Sequence, residues 1–242
     1  MNDFVDALIN RLKIEYERQD RSGVYAITQR LLAYNSNKIE GSTLTEEQTA
    51  SLFDVGTIYA NGQIIKARDV EEMRGHFAMF NEMLKTYDSM LSHEIIKLYH
   101  YRLKSGVFDD LVRGYPIGEY KNRKNIVGSI ATALPSEVHD KMTQLLDSYN
   151  KMPNHTIEDL VRFHVSYESI HPFQDGNGRT GRLILYKECL RNGIPPFVIL
   201  DSNKSVYIHA LHHAQTNGDH SLLISMFEDE QKYYRQLVED FL

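Results

Sequence analysis

The stretch from His171 to Arg182 constrains this chain more than any other, because it places reactive side chains beside a break in regular structure. It reads His-Pro-Phe-Gln-Asp-Gly-Asn-Gly-Arg-Thr-Gly-Arg. Asp-Gly-Asn is a turn sequence, and a helix is predicted from Arg179 to Asn192-Gly193, where a glycine followed by prolines ends it. The glycines of the stretch therefore lie at a helix N-terminus, where unpaired N–H groups and the positive end of the helix dipole attract anions.

The spacing of glycines and arginines in this stretch predicts a polyphosphate site. Gly176 and Gly178 allow the backbone to form a concave nest and to approach phosphate without obstruction by a Cβ atom. Arg179 and Arg182 are three residues apart, hence on one helix face, and both guanidinium groups can bind phosphate oxygens. Neither the Walker A nor the Rossmann glycine spacing is present in the stretch, so it is a different kind of phosphate loop.

Two residues of the stretch offer chemistry beyond phosphate binding. Asp175 can hold Mg²⁺, which prefers a carboxylate together with phosphates and waters. His171 has an imidazole that is neutral near pH 7 and can accept a proton from an attacking hydroxyl. The stretch therefore predicts proton transfer beside a metal-bound polyphosphate.

The same twelve residues resemble the signature of the Fic family, HPF-x-[DE]-GNGR-x-x-R, and match every specified position. The resemblance implies an all-α, mainly helical Fic fold with a small β-hairpin flap over the active site. We predict a helical N-terminal region over residues 1–92, a Fic domain over 93–229 and the end of a C-terminal helix over 230–242.

The resemblance implies that AMP is transferred from ATP to a Ser, Thr or Tyr hydroxyl of a protein, with release of pyrophosphate. His171 would be the catalytic base, and Asp175 would hold Mg²⁺, or Mn²⁺ in its place. The Asn177 amide and nearby N–H groups would stabilise charge on the α-phosphate. Arg179 would bind the β- and γ-phosphates and Arg182 the γ-phosphate. The implied phosphate-binding set is Asp175, Gly176, Asn177, Gly178, Arg179, Thr180, Gly181 and Arg182.

Helix-breaking residues between Gly114 and Pro135 predict a change of structure. Asn125–Ile130 is predicted as a strand, with Ala131–Leu134 as its partner in a small hairpin. In the family resemblance this is the flap, which aligns an extended target segment by main-chain pairing. An incidental surface hairpin is the alternative. The flap residues expected to line the site are Val127, Gly128, Ser129 and Ile130.

Two further candidates lie in a helix predicted over 205–214 and directly after it. The resemblance implies that Tyr207 and Gln215 lie near the adenine, although the spacing to Gln215 departs from the commoner pattern. His209 and His213 have the i,i+4 spacing of zinc ligands, but no third ligand is evident in the sequence, so we predict no metal there.

A second motif lies at the end of a helix predicted over 24–39. Ser36 and Glu40 are four residues apart and face the same way, with Gly41 as the residue that ends the helix. Taken alone, such a pair is ordinary solvated surface. Ser36–Gly41 also fits the inhibitory pattern [ST]-x-x-x-E-[GN] of the family, which implies that Glu40 pairs with Arg182 and blocks productive phosphate placement. A third hypothesis is that Glu40 positions a water that removes AMP from modified targets.

Apolar periodicity predicts the rest of the chain as helices joined by short turns. The first helix carries Val5, Leu8, Ile9 and Leu12 on one face, a capping box at Thr45–Gln48 opens the third, and Thr156 is the predicted N-cap of the helix that leads to His171. Further helices are predicted over 67–85, 92–103, 135–149 and 222–242.

Composition and charge narrow the classes of protein to which this chain could belong. The chain of 242 residues can form one sizeable core, and its net charge of −6 does not favour nucleic-acid binding. Its one cysteine, Cys189, fits a reducing compartment. The sequence shows no apolar run of about 18 residues and no signal-peptide pattern, so we expect no membrane association and a cytoplasmic location.

Three alternatives remain open from the sequence. The donor could be another nucleotide, such as UTP for UMP transfer. A nucleotide-gated binding or scaffold protein without turnover is the non-enzyme alternative. Self-modification and homodimer formation are both compatible with the family resemblance.

Overall fold

The structure is a computed structural model that describes residues 3–60, 62–127 and 130–242. Within these ranges the chain is mainly helical, as predicted, and none of the helices is both long and apolar enough to cross a membrane. The helices are α1 (Asp3–Arg18), α2 (Val24–Ile39), α3 (Glu46–Asp54), α4 (Ala67–Lys85), α5 (His93–Lys104), α6 (Phe108–Val112), α7 (Pro135–Asn150), α8 (Ile157–Ile170), α9 (Asn177–Arg191), α10 (Lys204–Asn217) and α11 (Ser221–Val238).

Helix α9 lies at the centre of the packing. It packs against α8, α5, α4 and α2, while α7, α10 and α11 pack on α8. A continuous apolar core runs from Phe4 in α1 to Val238 in α11, so the N-terminal helices and the later ones share one interior. This arrangement brings the end of α2 and the faces of α4 and α5 to the start of α9.

Local signals account for most helix boundaries. The predicted bounds of α2 and α4 are confirmed, and Thr45 and Thr156 both cap their helices in capping boxes. The prediction that α9 starts at Arg179 is wrong by two residues, because the helix begins at Asn177 with Gly176 as its N-cap. The short helix α6 was not predicted, since five residues are too few to show helical periodicity.

Two short strands, β1 (Ile126–Val127) and β2 (Ile130–Ala131), pair antiparallel in the region predicted as a hairpin. The pairing is Ile126 with Ala131 and Val127 with Ile130. The predicted strand extents are therefore wrong, because Ile130 belongs to the second strand and Ala131 alone of the predicted partner is paired. Gly128 and Ser129 lie outside the described residues.

Close packing of α4 and α5 depends on Gly75. A Cβ atom added there would clash with the backbone carbonyl of Leu103 on α5. The two helices can therefore approach until the side chains of Glu72 and Lys104 meet, with 2.7 Å between Oε1 and Nζ. This contact supplies part of the charge cluster described below.

Candidate active site

His171 lies at the point where α8 gives way to the motif loop. It caps the C-terminus of α8 in the left-handed conformation, with φ 52° and ψ 64°, which is uncommon for a residue other than glycine. Two residues later Phe173 is fully buried, and its ring stacks on His100 with 3.8 Å between centroids. Phe173 therefore anchors the motif loop in the core. The His171 imidazole therefore lies on a turn that Phe173 anchors in the core.

Asn177 locks the loop from the other side. Its Oδ1 accepts from the Phe173 N–H at 2.7 Å, and its Nδ2 donates to the Phe173 carbonyl at 2.8 Å. Since the side chain is buried and both ends of its amide bind this one residue, the prediction that the Asn177 amide faces the α-phosphate is wrong. Its contribution is to shape the loop, which leaves backbone N–H groups as donors to an anion.

The anion site predicted from the sequence lies at the start of α9. Gly176 has φ 83°, a conformation that favours glycine, and the N–H groups of the first turn have no acceptor within the helix. The Glu40 carboxylate lies directly over this turn, close enough that a Cβ atom on Gly178 would clash with its Oε1. A negatively charged group therefore already lies where the sequence predicts phosphate.

Arg182, one turn into α9, is bound by both members of the second motif. Its Nη2 donates to Glu40 Oε1 at 2.7 Å and to the Ser36 carbonyl at 3.0 Å, and its Nε donates to Ser36 Oγ at 3.0 Å. The predicted contact between Glu40 and Arg182 is confirmed as geometry. Burial acts to raise the pKa of Glu40, but the charges of Arg182 and Arg179 hold it below its ordinary value. Glu40 is therefore ionised at neutral pH.

Asp175 lies in a cluster of three cations. Its Oδ2 is 2.7 Å from both Arg68 Nη2 and Lys104 Nζ, and 3.4 Å from Arg179 Nη2. Burial opposes ionisation, but Arg179 and Lys104 hold the pKa of Asp175 far below its usual range. Arg179 is itself buried and pairs with Glu72 at 2.6 Å, so this guanidinium is committed to protein carboxylates as the structure stands.

The carboxylates of this cluster could in principle hold Mg²⁺. Oxygens of Glu72, Asp110 and Asp175 lie within 4.8 Å of one another. The Lys104 ammonium, however, lies 2.7, 2.5 and 2.7 Å from them and takes the place of a cation shared by all three. The fit that remains is an ionised Asp175 acting as a single carboxylate ligand beside phosphates, which is the usual arrangement for Mg²⁺.

The imidazole of His171 is held neutral. Burial, together with the nearby charge of Lys121, lowers the pKa of His171 to about 4. Nδ1 of the ring lies 3.9 Å from Oε2 of Glu168, one turn earlier on α8. At pH 7 the ring is therefore unprotonated, as a general base requires.

Glu168 is a buried carboxyl group with an unusually high pKa. Burial raises its pKa to about 7, with Arg182 lowering it and Glu40 raising it. Among the described residues, its Oε1 has no hydrogen-bond partner. Its neighbour on α9 is Gly181, where a Cβ atom would come within 2.6 Å of this oxygen. The carboxyl group thus lies behind the site, between His171 and Arg182.

Three predicted residues, Thr180, Gly181 and Tyr207, are buried away from the positions expected of them. Thr180 is buried and donates from Oγ1 to the Gly176 carbonyl at 2.9 Å, and Gly181 packs against α8, so neither faces the expected phosphates. Tyr207 is buried and 2.8 Å from His164 Nε2, and its hydroxyl also interacts with Arg182. Gln215 donates to Ser169 Oγ at 3.2 Å, and its place near an adenine stays a prediction. Tyr207 therefore supports an arginine of the site from behind, and direct contact with an adenine would require it to be exposed.

Several site residues have no signal in the sequence. Lys104 and Glu72 fall within helical apolar stripes, where they would be taken for isolated polar positions. Arg68 is 28% exposed and resembles any surface arginine until the fold places it on Asp175. The i,i+4 spacing of Arg68 and Glu72 on α4 was the one available hint.

Comparison of the sequence with protein-family models identifies the domain that holds this site. Residues 90–189 match the model of the Fic/DOC family. The chain contains a Fic domain. The match runs from just before α5 into α9 and thus includes His171 and the entire signature. The wider bounds predicted for the Fic domain, 93–229, stay a prediction.

Similar proteins extend this Fic likeness to most of the chain. Protein adenylyltransferase fic-1 of Caenorhabditis elegans is 27% identical over 187 residues, which are 75% of this chain and 36% of the relative. Protein adenylyltransferase Fic of Nematostella vectensis is 28% identical over 77% of this chain and 43% of its own. This chain thus spans less than half the length of these relatives.

Solved structures show the same fold. A Fic domain-containing signaling protein from Bacteroides thetaiotaomicron superposes with a TM-score of 0.71 at 25% identity, covering 96% of this chain and 91% of that one. Fic-1 of C. elegans superposes with a TM-score of 0.73 at 22% identity, covering 99% of this chain and 71% of that one. The Fic fold therefore includes the N-terminal helices of this chain.

Proposed function

We propose that this chain transfers AMP from ATP to a hydroxyl group of a protein. The observation that carries the proposal is the Glu40 carboxylate at the N-terminus of α9, bound to Arg182 and lying over Gly178. A carboxylate held there by a helix N-terminus and an arginine supports the site as one that accepts phosphate oxygens. The names of the curated relatives, protein adenylyltransferases, support the same reaction class.

His171 provides the chemical step. The target oxygen attacks the α-phosphorus, and its proton passes to the free nitrogen of the imidazole. The bond from the α-phosphorus to the bridging oxygen breaks, and pyrophosphate leaves. The backbone N–H groups of the first turn of α9 stabilise the charge that develops on the α-phosphate oxygens. The low pKa of His171 keeps the base available at neutral pH, and its burial fixes the direction of approach.

The remaining charged residues place the triphosphate. Mg²⁺ bound at Asp175 would neutralise charge on the phosphates and orient them. Arg68 and Lys104 hold the Asp175 carboxylate in one rotamer, which presents it to the cation without rearrangement. Arg182 would bind the γ-phosphate once Glu40 has left it. This combination of positioning and charge is what phosphoryl-type transfers need.

Glu40 makes the site autoinhibited in this proposal. Its carboxylate and the γ-phosphate compete for the same guanidinium, while Ser36 holds Arg182 in place in either state. Removal of the carboxylate therefore leaves the arginine positioned and free for ATP. We also propose that β1 and β2 act as the flap, with an extended segment of the target pairing along an open strand edge.

The test is transfer of label from α-labelled ATP with Mg²⁺ to the protein itself and to a cell lysate. We expect little label with the wild type, more with Glu40→Gly, and none with Glu40→Gly/His171→Ala. Glu40→Ala is the matched variant, because it also lacks the carboxylate but avoids the backbone freedom of glycine. It should be activated to a similar degree.

Two outcomes would redirect the proposal. If ATP raises the melting temperature but no variant transfers label, the donor is another nucleotide or the protein is a scaffold. If the wild type and Glu40→Gly transfer equally, the inhibitory role of Glu40 is wrong while the transfer reaction stands. Release of AMP from labelled target by the wild type, and its loss in Glu40→Gln, would add AMP removal to the function.

A further inference from the structure

Both ends of the hairpin are attached to the backbone on either side of His171. Before β1, the Lys121 N–H donates to the Pro172 carbonyl at 2.8 Å. After β2, the Ala133 N–H donates to the Ile170 carbonyl at 3.3 Å. The carbonyl groups of the two residues that flank His171 thus each accept from one end of the hairpin segment.

The Lys121 side chain joins these attachments into one network. Its Nζ donates to Asn125 Oδ1 at 2.7 Å, to Thr132 Oγ1 at 2.8 Å and to the Ile170 carbonyl at 3.4 Å. Asn125 in turn donates from Nδ2 to the Phe173 carbonyl at 3.1 Å. One ammonium group therefore contacts the segment before the hairpin, the segment after it and the end of α8.

The charge of Lys121 is not matched by an acid. Lys121 is 3% exposed. In the ranges that the structure describes, its Nζ donates to an amide oxygen, a hydroxyl and a backbone carbonyl, and it forms no ion pair with a carboxylate. A buried ammonium bound to neutral oxygens is costly, and a lysine placed only for structure could be replaced by an apolar side chain at lower cost. The cost of burying the Lys121 ammonium therefore indicates a role that needs both its three N–H donors and its positive charge.

We infer that Lys121 is a positioning residue that fixes the hairpin to His171, so that a target segment paired with the hairpin meets the base at a set distance. The inference rests on the proposed transfer reaction for its functional meaning. Its structural part does not depend on that reaction: hydrogen bonds join the segments before β1 and after β2 to the backbone on either side of His171. The link acts through Ile170 and Pro172, so Lys121 does not touch the reacting atoms.

The positive charge has a second effect at the same place. Together with burial, Lys121 lowers the pKa of His171 to about 4, so loss of the charge should raise that pKa. Glu40 and Asp175 act in the opposite direction. The charged or titratable groups that act on His171 are Lys121 before the hairpin, Glu40 at the end of α2, Asp175 in the motif loop and Glu168 on α8.

The first experiment needs no catalysis. The ring carbons of labelled histidine are followed by NMR over a pH titration, with His171→Ala identifying the resonance. We expect Lys121→Met and Lys121→Gln to raise the pKa of His171 and Lys121→Arg to leave it low. Lys151→Met is the matched control, because Lys151 is exposed just beyond α7 and should change nothing. An unchanged titration in Lys121→Met and Lys121→Gln would overturn the electrostatic part.

The second experiment measures transfer in the Glu40→Gly background. Lys121→Met should lower kcat/KM for the protein target by about tenfold to a hundredfold, the range that misplacement of reacting groups by about 1 Å produces. The dissociation constant for ATP should change far less. Thr132→Val, which removes one acceptor and keeps the charge, should give a partial loss without a shift in the pH profile.

The outcomes separate the inference from the proposed function. No transfer in Glu40→Gly itself refutes the function, and the link is then decided by the NMR titration and by faster hydrogen exchange of residues 122–133 in Lys121→Met. Transfer in Glu40→Gly with an unchanged kcat/KM in Lys121→Met refutes the inference alone. If Lys121→Met fails to fold, Lys121→Gln and Thr132→Val decide by the same measurements.

Discussion

Glu168 offers a sharp test of the electrostatics of the site, and the variant is Glu168→Gln. The side chain is 8% exposed, and its Oε2 lies 3.9 Å from His171 Nδ1. Burial raises its pKa to about 7 from an ordinary 4.5. Glutamine has nearly the same shape and no charge, so the variant isolates the cost of ionising this carboxyl group within the fold.

The sign of the effect follows from linkage. Between pH 4.5 and about 7 the unfolded chain loses the Glu168 proton while the folded protein keeps it, so folding becomes less favourable as the pH rises. The cost is absent below pH 4.5 and complete above about pH 7. At about 1.4 kcal/mol per pH unit, it reaches about 3 kcal/mol. Because the side chain is almost fully buried, solvent screens this cost only slightly.

The assay is urea denaturation of wild type and Glu168→Gln at several pH values from 5 to 8.5. We expect the difference in the free energy of unfolding to move in favour of the variant as the pH rises to about 7 and then to stay constant. At the upper end the shift in melting temperature should be about 6–12 °C, at about 2–4 °C per kcal/mol for a chain of this size. An unpaired glutamine amide adds a penalty that does not depend on pH, so the change with pH is the measure.

Glu158→Gln is the matched control, since Glu158 is exposed on the same helix. It should show no such dependence. The reasoning is refuted if the two variants have the same pH dependence, or if Glu168→Gln loses stability relative to wild type as the pH rises. Glu40→Gln supplies a further check: because the Glu40 charge raises the pKa of Glu168, the variant should narrow the pH range over which wild-type stability falls.

Two further predictions concern packing and catalysis. Gly75→Ala should destabilise the fold by about 2 kcal/mol or more in urea denaturation, because the new Cβ meets the rigid Leu103 carbonyl, whereas Gly106→Ala, with open space around it, should change stability by less than about 0.5 kcal/mol. Equal effects would show that α4 can move away from α5. In the Glu40→Gly variant, initial rates of AMP transfer should be retained from pH 7 to about pH 5, since burial and Lys121 disfavour the imidazolium. They should fall only as His171 gains a proton below about pH 4, because the Glu40 charge that raises the pKa of His171 is absent. A fall centred near the ordinary value of 6.5 would contradict this.

Much of the fold followed from local patterns in the sequence. The bounds of α2 and α4 are where apolar periodicity placed them, because an amphipathic helix encodes its buried face at a fixed spacing. The capping boxes at Thr45 and Thr156 could also be predicted, since each involves residues three apart. The extents of β1 and β2 could not be predicted in this way, because strand pairing depends on which residues the fold brings opposite one another.

The sequence by itself determined the centre of the site. His171, Asp175 and the first turn of α9 are within twelve residues, so a turn followed by a helix is enough to bring them together. The contact of Glu40 with Arg182 spans 142 residues and was predicted through family resemblance. Local spacing alone gave no more than the shared face of Ser36 and Glu40.

The tertiary structure decided how the charges of the site are set. Lys104 and Glu72 become the surroundings of Asp175 because α4 and α5 pack closely at Gly75. Tyr207 was expected beside a nucleotide and lies buried behind Arg182. A pKa depends on burial and on charges that are distant in the chain, so the neutrality of His171 could be established only when the packing of the helices around it was known.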